Sequence, residues 1–194
     1  MVLCLACHNI KILNIAKKHR ETIMSFTMII YLLTHQREHH RKTNTGQLVS
    51  DILGEACQVI TWYRKEPDSE LLNQMKRQKI GLLYPNSDSR PLNKKTTPLE
   101  AWDAFILLDG TWQEAQKMYN QSPYLKTCPK IAIQRDKKSI YKLRRNQKDF
   151  GLCTAECAYE VLIAHNMVQP AMRLEACLIA FVATHANKGL ICDE

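Results

Sequence analysis

The chain of 194 residues lacks several features that would assign it quickly to a class of proteins. It has only six glycines and no G-x-G-x-x-G pattern, so a methyltransferase of the Rossmann type is not favoured. Its apolar run at residues 23–33 is shorter than the about 20 residues that a membrane-spanning helix needs, and it is better explained as a buried strand. We find no secretory signal, internal repeat or low-complexity tract, and we expect no membrane association.

Paired cysteines are also scarce. The eight cysteines are Cys4, Cys7, Cys57, Cys128, Cys153, Cys157, Cys177 and Cys192. Only Cys4 and Cys7 form a C-x-x-C, whereas a closed zinc site needs about four ligands. His8 and His19 are the nearby substitutes, so the pair is either half of a zinc site or a pair of reduced thiols. The six other cysteines lie mostly in apolar stretches, where free cysteine behaves as a small hydrophobic residue. This usage predicts a reducing, cytoplasmic environment.

Positive charge exceeds negative charge, with 27 Lys and Arg against 19 Asp and Glu, a net charge of +8. Much of the excess lies in residues 135–148, and a smaller basic segment with a histidine cluster lies at residues 35–42. Such segments suit the phosphates of RNA, although solvated loops often have the same composition. In the first segment the candidate RNA-binding residues are Lys137, Lys138, Tyr141, Lys142, Arg144 and Arg145, with Tyr141 stacking on a base.

Apolar strands and amphipathic helices alternate along the chain. The patterns predict strands near residues 24–33, 56–62, 79–84, 104–108 and 130–134. They predict helices at 46–53, after 67–69, from 112 onward, at 154–165 and at 171–185. This order indicates an α/β fold with a mostly parallel sheet and helices on both faces. We expect one main domain, residues 21–194, preceded by a cysteine-containing segment, residues 1–20.

Residues 104–119 are the most informative segment. An apolar strand ends on Asp109, and Gly110 gives the following turn its conformational freedom. Thr111 and Glu114 have the spacing of a capping box, which predicts the start of a helix. The expected buried face of that helix is Trp112, Ala115, Met118 and Tyr119. A carboxylate at the carboxyl end of a strand is typical of ligand sites in open α/β sheets, although the turn could equally be architecture alone.

This segment resembles the D-x-T-W signature of the DTW-domain family, since residues 109–112 read Asp-Gly-Thr-Trp. Five other segments of the chain also resemble blocks of the family, and they occur in the same order as in the family. They are residues 43–48 (containing T-N-T-G), 82–85 (a strand ending in Tyr-Pro), 122–125, 141–144 and 153–156. The resemblance therefore covers about residues 34–160.

The resemblance implies a SPOUT-like fold with a carboxyl-terminal trefoil knot that cradles S-adenosylmethionine. The segments that would form the cofactor pocket are Tyr84-Pro85, Leu108 to Trp112 and Cys153-Thr154, with Glu156 as a further candidate. The implied activity is transfer of the 3-amino-3-carboxypropyl group from S-adenosylmethionine to N3 of a tRNA uridine. The T-N-T-G segment most resembles bacterial members, which act on the variable loop, and makes Asn44 and Thr45 candidate RNA-binding residues. Relatives often carry a second cysteine pair, which this chain lacks.

The implied chemistry requires the γ-carbon of the methionine chain, rather than the methyl group, to face the nucleophile. Asp109, raised in pKa by burial beside Trp112, is the candidate general base for the N3 proton. It would otherwise bind the α-amino group of the cofactor or orient the uracil. Trp112 would form an apolar wall that attracts the sulfonium, or pack in the core. Thr111 completes the candidate catalytic set, chiefly as a helix cap.

Two alternative functions remain at this point. One is a SPOUT-like RNA methyltransferase that uses the same cofactor, and the other is a non-catalytic basic RNA-binding protein. The sequence leaves the oligomeric state open between monomer and homodimer.

Overall fold

Strand β5 (Ala104–Asp109) lies inside the sheet, between β1 and β3. The computed structural model describes residues 28–92, 102–134, 138–142 and 151–189. Within them, six strands form one parallel sheet in the order β2-β1-β5-β3-β6-β4. The other strands are β1 (Ile29–His35), β2 (Cys57–Trp62), β3 (Ile80–Leu83), β4 (Arg90–Pro91) and β6 (Lys130–Ala132). The predicted single α/β domain with a parallel sheet is confirmed.

The continuous apolar sequence of β5 follows from burial on both faces of the sheet. Phe105 and Leu107 enter one hydrophobic core, whereas Ala104 and Ile106 enter the other. In the register of the sheet, Thr34 of β1 pairs with Asp109, and Leu83 of β3 pairs with Leu107. The carboxyl ends of β1, β5 and β3 therefore meet at one edge, which we call the carboxyl edge.

Helices cover both faces, as predicted. They are α1 (Gly46–Leu53), α2 (Ser69–Arg77), α3 (Trp112–Gln121), α4 (Pro123–Lys126), α5 (Thr154–Ala164) and α6 (Val168–Gly189). Helices α1, α5 and α6 supply the core on one side, here the α1 face, through Val49, Val161 and Leu174. Helices α2, α3 and α4 supply the core on the other side, the α3 face, through buried residues such as Leu71 and Met118.

Short elements account for the differences from prediction. Strand β4 has two residues and helix α4 has four, so neither is long enough to show periodicity. Residues 36–40, expected as part of a loop, form a 3-10 helix. Strand β1 continues to His35, two residues beyond the predicted end.

Several predictions fall outside the described residues. They include the segment 1–20, the start of the first strand at residues 24–27, and the loops 93–101 and 143–150 through which a trefoil knot would have to be traced. The knot and the SPOUT-like assignment therefore stay predictions. In the described part of the chain, no helix combines the length and apolarity that crossing a membrane requires.

Candidate active site at the carboxyl edge

Asp109, the last residue of β5, is only 3% exposed. Its Oδ1 accepts a hydrogen bond from Thr154 Oγ1 at 2.7 Å. Its Oδ2 accepts hydrogen bonds from Asn44 Nδ2 at 3.2 Å and from Thr34 Oγ1 at 3.3 Å. The carboxylate thereby joins β5 to the end of β1, to the loop before α1 and to the first residue of α5.

Gly46 allows α1 to begin directly against this carboxylate. A Cβ atom at position 46 would lie 2.6 Å from Asp109 Oδ2 and 2.9 Å from its Cγ, which is closer than real Cβ contacts. Asn44 supports the same turn, because its Oδ1 accepts from the Gly46 amide at 2.6 Å. The T-N-T-G segment is therefore the wall that encloses Asp109 on the α1 face.

The hydrogen bonds of Asn44 and Thr45 argue against the RNA-binding role predicted for them, which stays a prediction. Thr45 is buried and its Oγ1 accepts from the Ala155 amide at 3.3 Å. Asn44 donates to Asp109 and to the Glu38 carbonyl while its oxygen holds Gly46. Both side chains bind other parts of the protein and thereby shape the site, although Asn44 is only half-buried.

Glu156 fixes a second segment next to the site. Its Oε2 accepts from the Cys153 amide at 2.9 Å and from Ser139 Oγ at 2.7 Å, and its Oε1 accepts from the Ile140 amide at 2.9 Å. These bonds hold residues 138–142 against the start of α5. Both oxygens bind the chain itself, so they argue against the predicted cofactor contact of Glu156.

Tyr141 lies in that held segment and is only 2% exposed. Its hydroxyl donates to the Thr43 carbonyl at 2.7 Å, which ties the segment to the T-N-T-G turn. The burial of this ring argues against the stacking role predicted for Tyr141. The neighbouring Lys138 and Lys142 are exposed, whereas Lys137, Arg144 and Arg145 lie outside the described residues.

Cys153 and Thr154 lie next to Asp109 at the start of α5, and the cofactor contact that the resemblance implies for them stays a prediction. Thr154 touches Asp109 directly. Cys153 is buried, and burial raises the pKa of its thiol to about 12, so the sulfur stays protonated and unreactive. Among the described residues no group of histidine, cysteine and acidic side chains has the arrangement of a metal site. Cys4 and Cys7 lie outside those residues, and zinc binding there stays a prediction.

Trp112 forms an aromatic stack on the α3 face. Its ring lies 6.1 Å from that of Tyr84, which in turn lies 4.2 Å from that of Tyr119. Trp112 is 45% exposed, so its predicted place on the buried face of the helix is wrong. Pro85, next to Tyr84, is exposed, and Leu108 is half-buried in the core of the same face. The indole thus offers an open apolar wall, the other role considered for it.

The carboxylate and the indole lie on different faces of the sheet. Asp109 points to the α1 face, where Gly46 and Thr154 enclose it, whereas Trp112 stacks on Tyr84 on the α3 face. Asp109 is buried, as expected, but the prediction that Trp112 buries it is wrong. Gly46 and Thr154 enclose it instead. Both groups still lie at the carboxyl edge, one just before and one just after the Gly110 turn.

Glu114 links this turn to the basic segment that follows β1. It forms the predicted capping box with Thr111, receiving Thr111 N at 2.9 Å and Thr111 Oγ1 at 2.8 Å. The two terminal guanidinium nitrogens of Arg41 donate to it, at 3.1 and 3.0 Å, and Arg41 also pairs with Glu38. Burial acts to raise the pKa of Glu114, but the Thr111 hydrogen bonds and the Arg41 charge outweigh it and bring the pKa to about 2. Sequence reasoning found the cap and missed the ion pair.

Comparison with known proteins identifies the family of this chain. The family model described as the DTW domain matches residues 1–186. The chain belongs to the DTW domain family. Curated relatives of this DTW chain include proteins named tRNA-uridine aminocarboxypropyltransferase 2. Those of Macaca fascicularis and Mus musculus are 23% and 24% identical over 173 residues, which cover 85% of this chain and 58% of each relative.

The relative of the same name from Drosophila melanogaster is 26% identical over 137 residues, covering 69% of this chain and 54% of its own length. The DTW chain thus spans a little over half the length of the curated relatives it matches. No solved structure matches it.

Replacing Asp109 with alanine should destabilise the DTW domain. The change removes the acceptor of the buried Thr154 hydroxyl and one of the two acceptors of Asn44 Nδ2 and of Thr34 Oγ1. We expect a loss of about 2–4 kcal/mol in the free energy of unfolding, measured by urea denaturation. The exposed Asp51→Ala change on α1 serves as the control and should cost less than about 0.5 kcal/mol. Equal stability of the two variants would contradict the network.

Glu114 should make the free energy of unfolding depend on pH in the acidic range. Its pKa of about 2 in the folded chain lies below the value of 4.5 expected when unfolded. The stabilisation is therefore complete above pH 5 and is lost as the pH falls towards 2. Between pH 5 and pH 3 this one group should account for about 2 kcal/mol of lost unfolding free energy. Glu114→Gln should show a smaller loss over that interval, and identical losses would rule out the assignment.

Proposed function

We propose that this chain transfers the 3-amino-3-carboxypropyl group from S-adenosylmethionine to N3 of a uridine in tRNA. The observation that carries the proposal is the position of the D-x-T-W residues. Asp109 to Trp112 form the turn at the carboxyl edge of a parallel sheet, where open α/β folds bind ligands. The names of the DTW relatives supply the reaction class.

The residues at this edge fit S-adenosylmethionine. The Trp112 ring, stacked on Tyr84 and 45% exposed, offers a flat apolar surface to adenine or a π-face to the sulfonium. The exposed Pro85 follows Tyr84 in the chain, and the turn at Leu108 to Trp112 adds backbone groups for ribose and the amino acid part. When bound, the cofactor supplies an electrophilic γ-carbon attached to a sulfonium leaving group.

In the proposed reaction, N3 of uridine loses its proton and bonds to the γ-carbon while the bond between that carbon and sulfur breaks. The products are the N3-substituted uridine, a neutral thioether and a proton. The chain must place N3 in line with the γ-carbon, about 3–3.5 Å away, and keep the methyl group out of reach. Selectivity for the three-carbon group is thus a matter of how the edge residues hold both reactants.

We assign Asp109 a positioning role in this reaction. Both of its oxygens accept hydrogen bonds from the chain, and only 3% of the residue is exposed, so little of the carboxylate faces a bound uridine. What it does is hold the start of α5 and the turn before α1 against the D-x-T-W turn. The alternative, a general base at Asp109, would require these bonds to be given up during each turnover.

For the tRNA, exposed cations close to the edge are the candidate contacts. Lys138 and Lys142 lie on the segment that Glu156 and Tyr141 tie to the site, so their charges are held near it. We propose that they, with Lys137, Arg144 and Arg145, bind phosphates, and that affinity falls as salt rises.

Mass spectrometry of nucleosides tests the proposal. Unmodified tRNA treated with the chain and S-adenosylmethionine should contain a uridine heavier by about 101 Da, the mass of the group that an oriented γ-carbon delivers. A gain of about 14 Da would instead indicate a methyltransferase. No gain, with no binding of S-adenosylmethionine, would indicate a non-catalytic RNA-binding protein.

The Asp109→Asn variant separates the two roles of the carboxylate in the same assay. An amide retains one oxygen acceptor and the size of the side chain, so a positioning role predicts that kcat falls by about 10-fold with an unchanged pH profile. A general base predicts a loss of kcat of about 100- to 10,000-fold. It also predicts loss of the rising limb of the pH profile, which reports deprotonation of the base. That second outcome would overturn the positioning role.

A further inference from the structure

A recess opens on the α3 face of the carboxyl edge, separate from the Asp109 network. It is a cleft of about 460 Å³ between the ends of β1 and β2 and one side of α3. We call it the α3 cleft. The lining residues that matter here are Arg37, Trp62, Tyr63, Arg64, Gln113 and Lys117. Its size is within the usual range of ligand sites.

The α3 cleft is positively charged. Arg37, Arg64 and Lys117 are exposed and have no ion-pair partner within the described ranges. The acidic residue on its lining, Glu114, is already paired with Arg41. The pKa of His35 at the cleft wall is lowered, chiefly by burial. The charge of Glu114 acts to raise this pKa, whereas the nearby cations lower it further; they are Lys117, Arg37 and Arg41. The three exposed charges therefore converge on one recess and leave it with a cationic surplus.

The cleft also has an aromatic floor and an exposed ring. The rings of His35 and Trp62 stack at 5.8 Å, and Trp62 Nε1 donates to Ser122 Oγ at 2.9 Å, which fixes the indole. Tyr63, the next residue, is 49% exposed. An exposed aromatic next to several cations is the combination that binds unpaired nucleotides, with phosphates on the charges and a base on the ring.

Helix α3 places the cleft beside the proposed transfer site. Trp112 begins the helix on the side of Tyr84, whereas Gln113 and Lys117 face the cleft. Trp112 and Lys117 are five residues apart, which is about 7.5 Å along a helix axis. That length equals about two stacked nucleotides at 3.4 Å each. A strand in the cleft would thus pass close to the transfer site.

We infer that the α3 cleft holds the single-stranded tRNA segment that flanks the modified uridine. Arg37, Arg64 and Lys117 contact its phosphates, and Tyr63 stacks on one of its bases. This inference rests on the proposed function for the identity of the RNA. It assigns RNA contact to a surface other than residues 135–148, and on the opposite side of the edge from the T-N-T-G turn.

Equilibrium binding of unmodified tRNA at several KCl concentrations tests the inference. The triple change Arg37→Gln, Arg64→Gln and Lys117→Gln should weaken binding at least about 10-fold at low salt and reduce the salt slope by about 2. The matched control is Lys76→Gln, Arg77→Gln and Lys126→Gln, which removes the same charge from exposed ends of α2 and α4. Because those ends lie at the opposite edge of the sheet, the control should keep nearly the full slope.

Tyr63 gives an independent readout. Tyr63→Ala should weaken binding about 5-fold or more and leave the salt slope unchanged, since stacking involves no counterion release. Tyr63→Phe should restore affinity. The control is Val59→Ala, which removes an equally exposed apolar side chain from β2, the strand that ends one residue before Tyr63.

Two results would overturn the inference: a triple variant that binds tRNA like its control, and a wild-type chain that shows no tRNA binding at low salt. Failure of the proposed function has a different signature. In that case the wild-type chain binds tRNA through the cleft, but no nucleoside gains about 101 Da with S-adenosylmethionine.

Discussion

A buried carboxylate is the constraint on which the carboxyl edge depends. Removing a charge from water costs free energy unless hydrogen bonds compensate it. Asp109 obtains that compensation from Thr34, Asn44 and Thr154, which belong to three separate parts of the chain. The sheet, the T-N-T-G turn and the start of α5 must therefore be assembled together, and Gly46 is needed because a side chain would occupy the space of the carboxylate.

This arrangement leaves different tasks to the two faces of the edge. On the α1 face, the polar groups of Asp109, Glu156 and Tyr141 form hydrogen bonds that hold chain segments together. On the α3 face, Trp112 and Tyr63 are exposed, and the α3 cleft carries uncompensated positive charge. Rigidity on one side and open binding surface on the other suit a reaction whose outcome depends on orientation. The Gly110 turn and the Thr111 cap connect the two sides.

Local patterns predicted local features well. The strand that ends on Asp109, the capping box at Thr111 and the bounds of α1 follow from contacts within a few residues. The site network joins residues 45 to 75 positions apart, and periodicity has no information about such pairs. Tyr141 sits in a basic stretch that predicts exposure, but its hydroxyl bonds to a carbonyl 98 residues earlier. Trp112 fits the helical period, yet it is the first residue of α3 and its ring is 45% exposed.

A double-mutant cycle between Asp109→Ala and Thr154→Val measures the central interaction most directly, because each single change removes the hydrogen bond between the two side chains. The free energies of unfolding of the wild-type chain, both single variants and the double variant give the coupling between the two side chains. If the 2.7 Å hydrogen bond joins α5 to β5, the coupling should be about 1 kcal/mol or more. Effects that add to within about 0.3 kcal/mol would show that the two segments are held together by something else.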